Sequence, residues 1–166
     1  MVKKMLNLEA KFRSDYPLIA GVDEAGRGAL AGPIVVATVI LPPHFQTPLI
    51  QDSKILEPHQ RETAYRLIKR IALEYNTVFK NPRQIEEKNP LGATCEAMVE
   101  VILKLQKKPN LGLIDGKEEI TVEGVKTLSI IGGDRQSINI AAASIIAKVT
   151  RDHYMQKLHT QYPRYN

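Results

Sequence analysis

The chain has 166 residues, 43% hydrophobic and 25% charged, with a formal net charge of +5. Those proportions fit one globular domain with a real core and exclude a disordered or low-complexity chain. The single cysteine, Cys95, excludes an intrachain disulfide framework, and no apolar stretch reaches membrane-spanning length. A cytoplasmic protein with no membrane partner is expected, and Cys95 reads as a packing residue. The surplus of base is mild, so solubility accounts for it as well as a polyanionic partner does.

Residues 1–16 are polar and predict a short helix or arm. Leu18 to Glu24 reads as a strand, and Pro33 to Leu41 as a second, β-branched one stopped by Pro42-Pro43. Gly26, Gly28 and Gly32 lie between them, so the two strands are expected to form a hairpin. Pro58 to about Tyr75 predicts a helix, and Asn76 to Lys80 a strand. Leu91 to Lys107 predicts a second helix, stopped by Pro109. Leu111 to Asp115 is a short buried strand ending in an acid. Glu118 to Ile131 holds one or two strands, closed by Gly132-Gly133. Ile138 to about Thr160 is a long helix rich in alanine, suited to lying close on a sheet. A hairpin followed by alternating helices and strands predicts an α/β fold, a mixed sheet flanked by helices.

Acids stand at telling places. Asp23 and Glu24 end the first strand, where a divalent cation could be held at a fixed point. Their side chains leave a regular strand on opposite faces, so sharing one ion requires the strand to end or bend there, or one residue to use its carbonyl. Asp115 ends another strand, but Asp115-Gly116 is also an ordinary turn signal. Ser144, Lys148 and Asp152 are spaced by four and share a helix face. Lys148 with Asp152 reads equally as a helix ion pair. Asp134 reads as a turn residue or N-cap for the last helix. Carboxylates from separate elements are the usual supply for two magnesium ions in phosphodiester hydrolysis. No Cys/His cluster has zinc spacing. Gly26-Arg27-Gly28 beside the first acids could bring backbone N–H groups and a guanidinium against a phosphate or sugar.

Joined, these pieces resemble type 2 ribonucleases H, in the prokaryotic ribonuclease HII form. The matching segments are Gly21-Val22-Asp23-Glu24-Ala25-Gly26-Arg27-Gly28, Ala31-Gly32-Pro33, Asp52-Ser53-Lys54, Ile85-Glu86-Glu87-Lys88-Asn89, Leu113-Ile114-Asp115-Gly116 and the run from Ile140 to Asp152. They keep the family's order and cover the chain from about Leu18 onward. The resemblance implies an RNase H-like fold in a single catalytic domain over residues 1–166, and a monomer. It implies hydrolysis of RNA in RNA–DNA hybrids and incision 5′ of ribonucleotides embedded in duplex DNA, leaving 3′-hydroxyl and 5′-phosphate ends. It implies two Mg²⁺ or Mn²⁺ ions on Asp23, Glu24, Asp115 and Asp152. It also implies a 2′-hydroxyl-sensing turn at Gly26, Arg27 and Gly28, and substrate contacts from Ser53, Lys54, Asn89, Ser144 and Lys148.

Two departures stand out. Ile55 occupies the place of a second lysine after Asp52-Ser53-Lys54, which removes one expected phosphate contact. The family commonly continues into a His-Lys-Gly-Tyr-Gly-Thr segment, and that segment is expected to be missing after Asn166. On that expectation the metal site survives and junction recognition weakens, so a weakly active or inactive hybrid-binding domain is the alternative reading. A DNA junction resolvase of similar fold is a third, disfavoured by the Gly-Arg-Gly turn.

Overall fold

The computed structural model describes residues 7–164. Five strands form one mixed sheet: β1 (Ile19–Ala25), β2 (Ile34–Ile40), β3 (Glu74–Lys80), β4 (Leu111–Asp115) and β5 (Lys126–Ile130). Their spatial order is β3-β2-β1-β4-β5. β1 and β2 form the expected antiparallel hairpin, with Gly21 opposite Val39 and Ala25 opposite Val35. β1 and β4 run parallel, Val22 opposite Ile114, and β5 continues the parallel half. All seven residues of β2 are buried, which is why it reads as a continuous apolar run rather than an alternation.

Three helices cover the sheet: α1 (Pro58–Ile71), α2 (Pro82–Leu103) and α3 (Ile138–Gln161). α3 and α1 pack on one face, through Ala64, Ile68, Ala142 and Ile145 against Ala37 and Val39. α2 covers the other, through Ala97, Met98 and Val101 against Val22, Val36 and Ile114. The contact between α3 and β1 is close because both sides are small. A Cβ on Gly21 would run into the Asn139 backbone, so a side chain there would push α3 off the strand. Ala141, Ala142, Ala143 and Ala147 are fully buried in that contact.

The start of α3 is tied down by a buried carboxylate. Glu9 Oε1 accepts hydrogen bonds from Ser137 Oγ at 2.6 Å and from Asn139 N and Nδ2 at 3.0 Å each. Asn139 Oδ1 accepts from Leu41 N at 2.8 Å, which links the same point to the end of β2.

Several boundaries differ from expectation. The expected arm at residues 1–16 contains a 3-10 turn at Leu8–Lys11, and residues 1–6 lie outside the described residues. α1 stops at Ile71, four residues short of the expected end, because Ala72 turns extended and β3 begins at Glu74 to pair with Ile40. α2 starts at Pro82 rather than Leu91. Asn81 and Gln84 form a capping box around Pro82, and a break at Asn89, φ 59°, admits Pro90 before the helix resumes. It ends at Leu103 rather than Lys107, where the Glu74 carboxylate accepts from the Gln106 and Lys107 N–H groups. Between Glu118 and Ile131 there is one strand, β5, with a single Val122–Val125 bridge before it. Asp134 falls in a 3-10 turn, and the N-cap of α3 is Ser137.

Candidate active site

The parallel register of β1 and β4 sets Val22 beside Ile114, so the next residues, Asp23 and Asp115, emerge side by side at the carboxyl ends of adjacent strands. Such strand ends are where open α/β sheets bind ligands. Glu24 follows as the penultimate residue of β1. All three acids line one cleft of about 500 Å³, together with Gly26, Arg27, Gly28, Ser53, Lys54, Arg61, Ser144 and Lys148.

Burial pushes the Asp23 carboxyl well above the usual carboxylate range, and the charges of Glu24 and Asp115 push it the same way. Ser144 and the Glu24 N–H, which donates to Asp23 Oδ1 at 2.7 Å, pull it back only in part. Burial also raises Glu24; Arg27 lowers it and Asp115 raises it. Asp115 is raised by burial, against the Gly133 N–H that donates to its Oδ1 at 2.6 Å. Burial is thus the first cause for all three acids, and Asp23 is raised further by the charges of Glu24 and Asp115. Hard carboxylate oxygens in that state suit a hard divalent cation that keeps part of its water shell.

The wall opposite the acids is the loop at residues 52–54. Asp52 is buried, accepts from Lys54 N at 2.9 Å and meets Arg135 Nε at 3.3 Å. Ser53 Oγ lies 2.8 Å from Ser144 Oγ, which fastens the loop to α3. Lys54 is exposed and reaches Asp134, itself only 2% exposed, at 3.3 Å. Burial alone would lower the Lys54 ammonium's pKa; Asp134, together with Asp23 and Asp52, more than offsets that and raises it. Arg61 donates to the carbonyls of Ser53, at 3.0 Å, and Leu56, and so shapes the loop from α1.

The turn between β1 and β2 forms the remaining wall. Gly26 has φ 94°, a conformation that side chains rarely adopt. A Cβ on Gly28 would meet nothing within 4 Å, so its backbone is open to an approaching molecule. Arg27 extends between Glu24 and Glu118, 3.7 Å from each.

Two expected site residues make other contacts. Asp152 is not among the residues lining the cleft; its Oδ1 is 2.8 Å from Lys148 Nζ, one helical turn back along α3. Asn89 sits at the break in α2, where its Oδ1 accepts from Gly92 N at 2.9 Å. Among the described residues no three His, Cys, Asp or Glu side chains stand close enough together to hold a metal ion between them. Cys95 is half-buried against the α2 core; burial and Glu118 raise its thiol pKa, and Arg27 lowers it. Asp134, Arg61 and Glu118 were not foreseen as neighbours of the site. Gly132-Gly133-Asp134 carries a turn signal, but nothing local says that its acid is buried under Lys54.

A mixed sheet with acids at the ends of its central strands, and one long helix laid across them, is the arrangement of the ribonuclease H-like nucleases. The solved structure of ribonuclease H2 from Pyrococcus horikoshii OT3 superposes with a TM-score of 0.80 at 29% identity, covering 90% of this chain and 79% of that one. The sequence profile described as Ribonuclease HII matches residues 20–166. Curated ribonucleases HII from Mycoplasma capricolum and Caldanaerobacter subterraneus subsp. tengcongensis are 43% and 47% identical to it. The alignments cover 98% and 99% of this chain, and 79% and 68% of those proteins. The chain belongs to the ribonuclease HII family, and with it to the ribonuclease H endonucleases.

Proposed function

We propose that this chain is a divalent-metal-dependent endoribonuclease acting on RNA–DNA hybrids and 5′ of ribonucleotides embedded in duplex DNA, leaving 3′-hydroxyl and 5′-phosphate ends. The observation that carries the reading is the meeting of Asp23, Glu24 and Asp115 in one cleft beside the turn that carries Arg27, with burial raising each carboxyl. In this reading those acids hold Mg²⁺ or Mn²⁺, and Asp152, now bonded to Lys148, completes the set. When bound, two such ions supply an activated water and stabilise the leaving oxygen.

The chain's own groups do the rest. Lys54 and Lys148 bring cations to the cleft and Ser53 a hydroxyl, which suits a phosphodiester lying across it. The open backbone at Gly28 and the Arg27 guanidinium face the ribose, whose 2′-hydroxyl separates RNA from DNA. Asn89 caps the break in α2 and remains a candidate substrate contact outside the cleft lining. Among the described residues no helix is long and apolar enough to cross a membrane.

The test uses three duplexes with Mg²⁺ or Mn²⁺: all-DNA, DNA with one ribonucleotide, and RNA–DNA hybrid. Cleavage of the last two alone, with chelator abolishing it, is the expected result. Equal cutting of all-DNA would favour the resolvase reading. Tight binding of hybrid without cutting would leave a hybrid-binding domain.

A further inference from the structure

Arg151 stands on α3 immediately before Asp152, yet its side chain serves another element. Its Nε donates to the Pro33 carbonyl at 2.9 Å and its Nη2 to the Ala31 carbonyl at 2.7 Å. Both acceptors lie in the turn between β1 and β2, the turn that carries Gly26-Arg27-Gly28. The same guanidinium covers Gly26, where a Cβ would run into it, and comes within 3.3 Å of a Cβ built on Gly32. Gly26 and Gly32 both have positive φ, 94° and 85°. The turn is thus folded tightly against the arginine at two points. Among the described residues Arg151 makes no ion pair, so its charge is not balanced by a carboxylate within bonding distance. A planar fork can reach two carbonyls at once, which an ammonium on a flexible stem cannot hold in the same way.

These contacts join two walls of one cleft. The turn supplies Gly26, Arg27 and Gly28, and α3 supplies Ser144 and Lys148. Within the turn itself the backbone bond is Ala29 N to Gly26 O at 3.2 Å, which does nothing to set its distance from α3.

We propose that Arg151 is a positioning residue that fixes the Gly-Arg-Gly turn against α3, and so sets substrate discrimination at the ribose. What the turn discriminates rests on the function proposed above; the positioning itself does not.

The test uses the 166-residue chain with Arg151→Ala and Arg151→Lys. Amide hydrogen exchange across residues 26–33 reports the tie directly. In Arg151→Ala these amides should exchange about tenfold faster or more, while β2 and the buried half of α3 stay protected. Mn²⁺ affinity by calorimetry should stay within about twofold, because no metal-site acid is altered. The ratio of kcat/KM for a single embedded ribonucleotide to that for uniform hybrid should fall about tenfold, chiefly through KM. Arg151→Lys should recover this ratio only in part. Unchanged exchange in the turn overturns the proposal. Faster exchange throughout the sheet, with an equal fall on both substrates, also overturns it, since Arg151 would then be a general fold staple. If the unaltered chain cuts all-DNA equally well, the functional reading fails, and the exchange result still decides the role of Arg151.

Discussion

Lys80 and Asp23 are equally far from water, each 5% exposed, on strands of the same sheet. Lys80, on edge strand β3, lies 2.9 Å from Glu100 and 3.1 Å from Glu96. Burial alone would lower its pKa, but the hydrogen bonds to those glutamates raise it. The glutamates are lowered in turn, Glu96 by Lys88 and Lys80 and Glu100 by Lys104 and Lys80. Asp23, on central strand β1, has acids for neighbours instead and is pushed up. One cluster is closed within the protein. The other gathers acids in a cleft without such partners, which marks it as the candidate site rather than a structural ion network.

The two clusters should respond to pH with opposite sign. Glu100 has a depressed folded pKa, so its contribution is present above the ordinary glutamate value and lost as pH falls through the folded one. Asp23 has a raised folded pKa. Its favourable contribution is present below the ordinary aspartate value and lost as pH rises through the folded one. Metal-free protein at neutral pH therefore holds its acid cleft at a cost in stability.

The largest expected effect tests that cost. Asp23→Asn should reduce cleavage by more than about a hundredfold, since even changes behind a metal ligand cost about 10–100-fold. In chelator at neutral pH its Tm should rise above that of the unaltered chain, and the gap should close on acidification as Asp23 takes up a proton. A lower Tm at neutral pH would show that the acids are not in conflict.

Arg27→Ala removes a cation that partly offsets the Glu24 charge. Cleavage at a single embedded ribonucleotide should fall about tenfold, and cleavage of uniform hybrid less, through loss of fixed contacts beside the 2′-hydroxyl. Equal losses on both substrates would deny the turn a role in ribose recognition.

Lys80→Met probes the closed cluster. Activity should not change, and Tm at neutral pH should drop by roughly 2–4 °C. The drop should shrink in acid, where Glu96 and Glu100 lose their charge. A loss of cleavage with Tm intact would mean that the two clusters communicate.

Asp134→Asn is the smallest. It loosens the Lys54 side chain, and KM should rise roughly twofold to fivefold with kcat nearly unchanged. An unchanged KM would mean that Lys54 finds its place without this anchor.

The hairpin, the strand at Leu111–Asp115 and the long last helix were legible because each is marked locally, by apolar runs and by the acids or glycines that end them. The same local marks picked out Asp23, Glu24, Asp115 and the Gly-Arg-Gly turn, while Ser53 and Lys54 came only from the family resemblance; all of them line the cleft. The early start of α2 was legible too, in Asn81-Pro82 and Gln84, but the Asn89-Pro90 break hid the continuity of the helix. Asp152 shows the limit of helical spacing. Its four-residue offset from Lys148 gives a 2.8 Å ion pair on the helix, and that offset alone does not separate such a pair from a place beside the cleft that Lys148 lines.

By itself the sequence determined which residues carry chemistry and which elements bear them, because periodicity, capping and turn preferences act over a few residues. Only the tertiary structure decided that Asp115 comes to Asp23, through the parallel register of β4 on β1. It alone put Asp134 beneath Lys54, and bent Arg151 away from its neighbour Asp152 toward carbonyls 118 and 120 residues distant. Those placements follow from sheet register and from the close seating of α3 on Gly21, and no short stretch of sequence contains either.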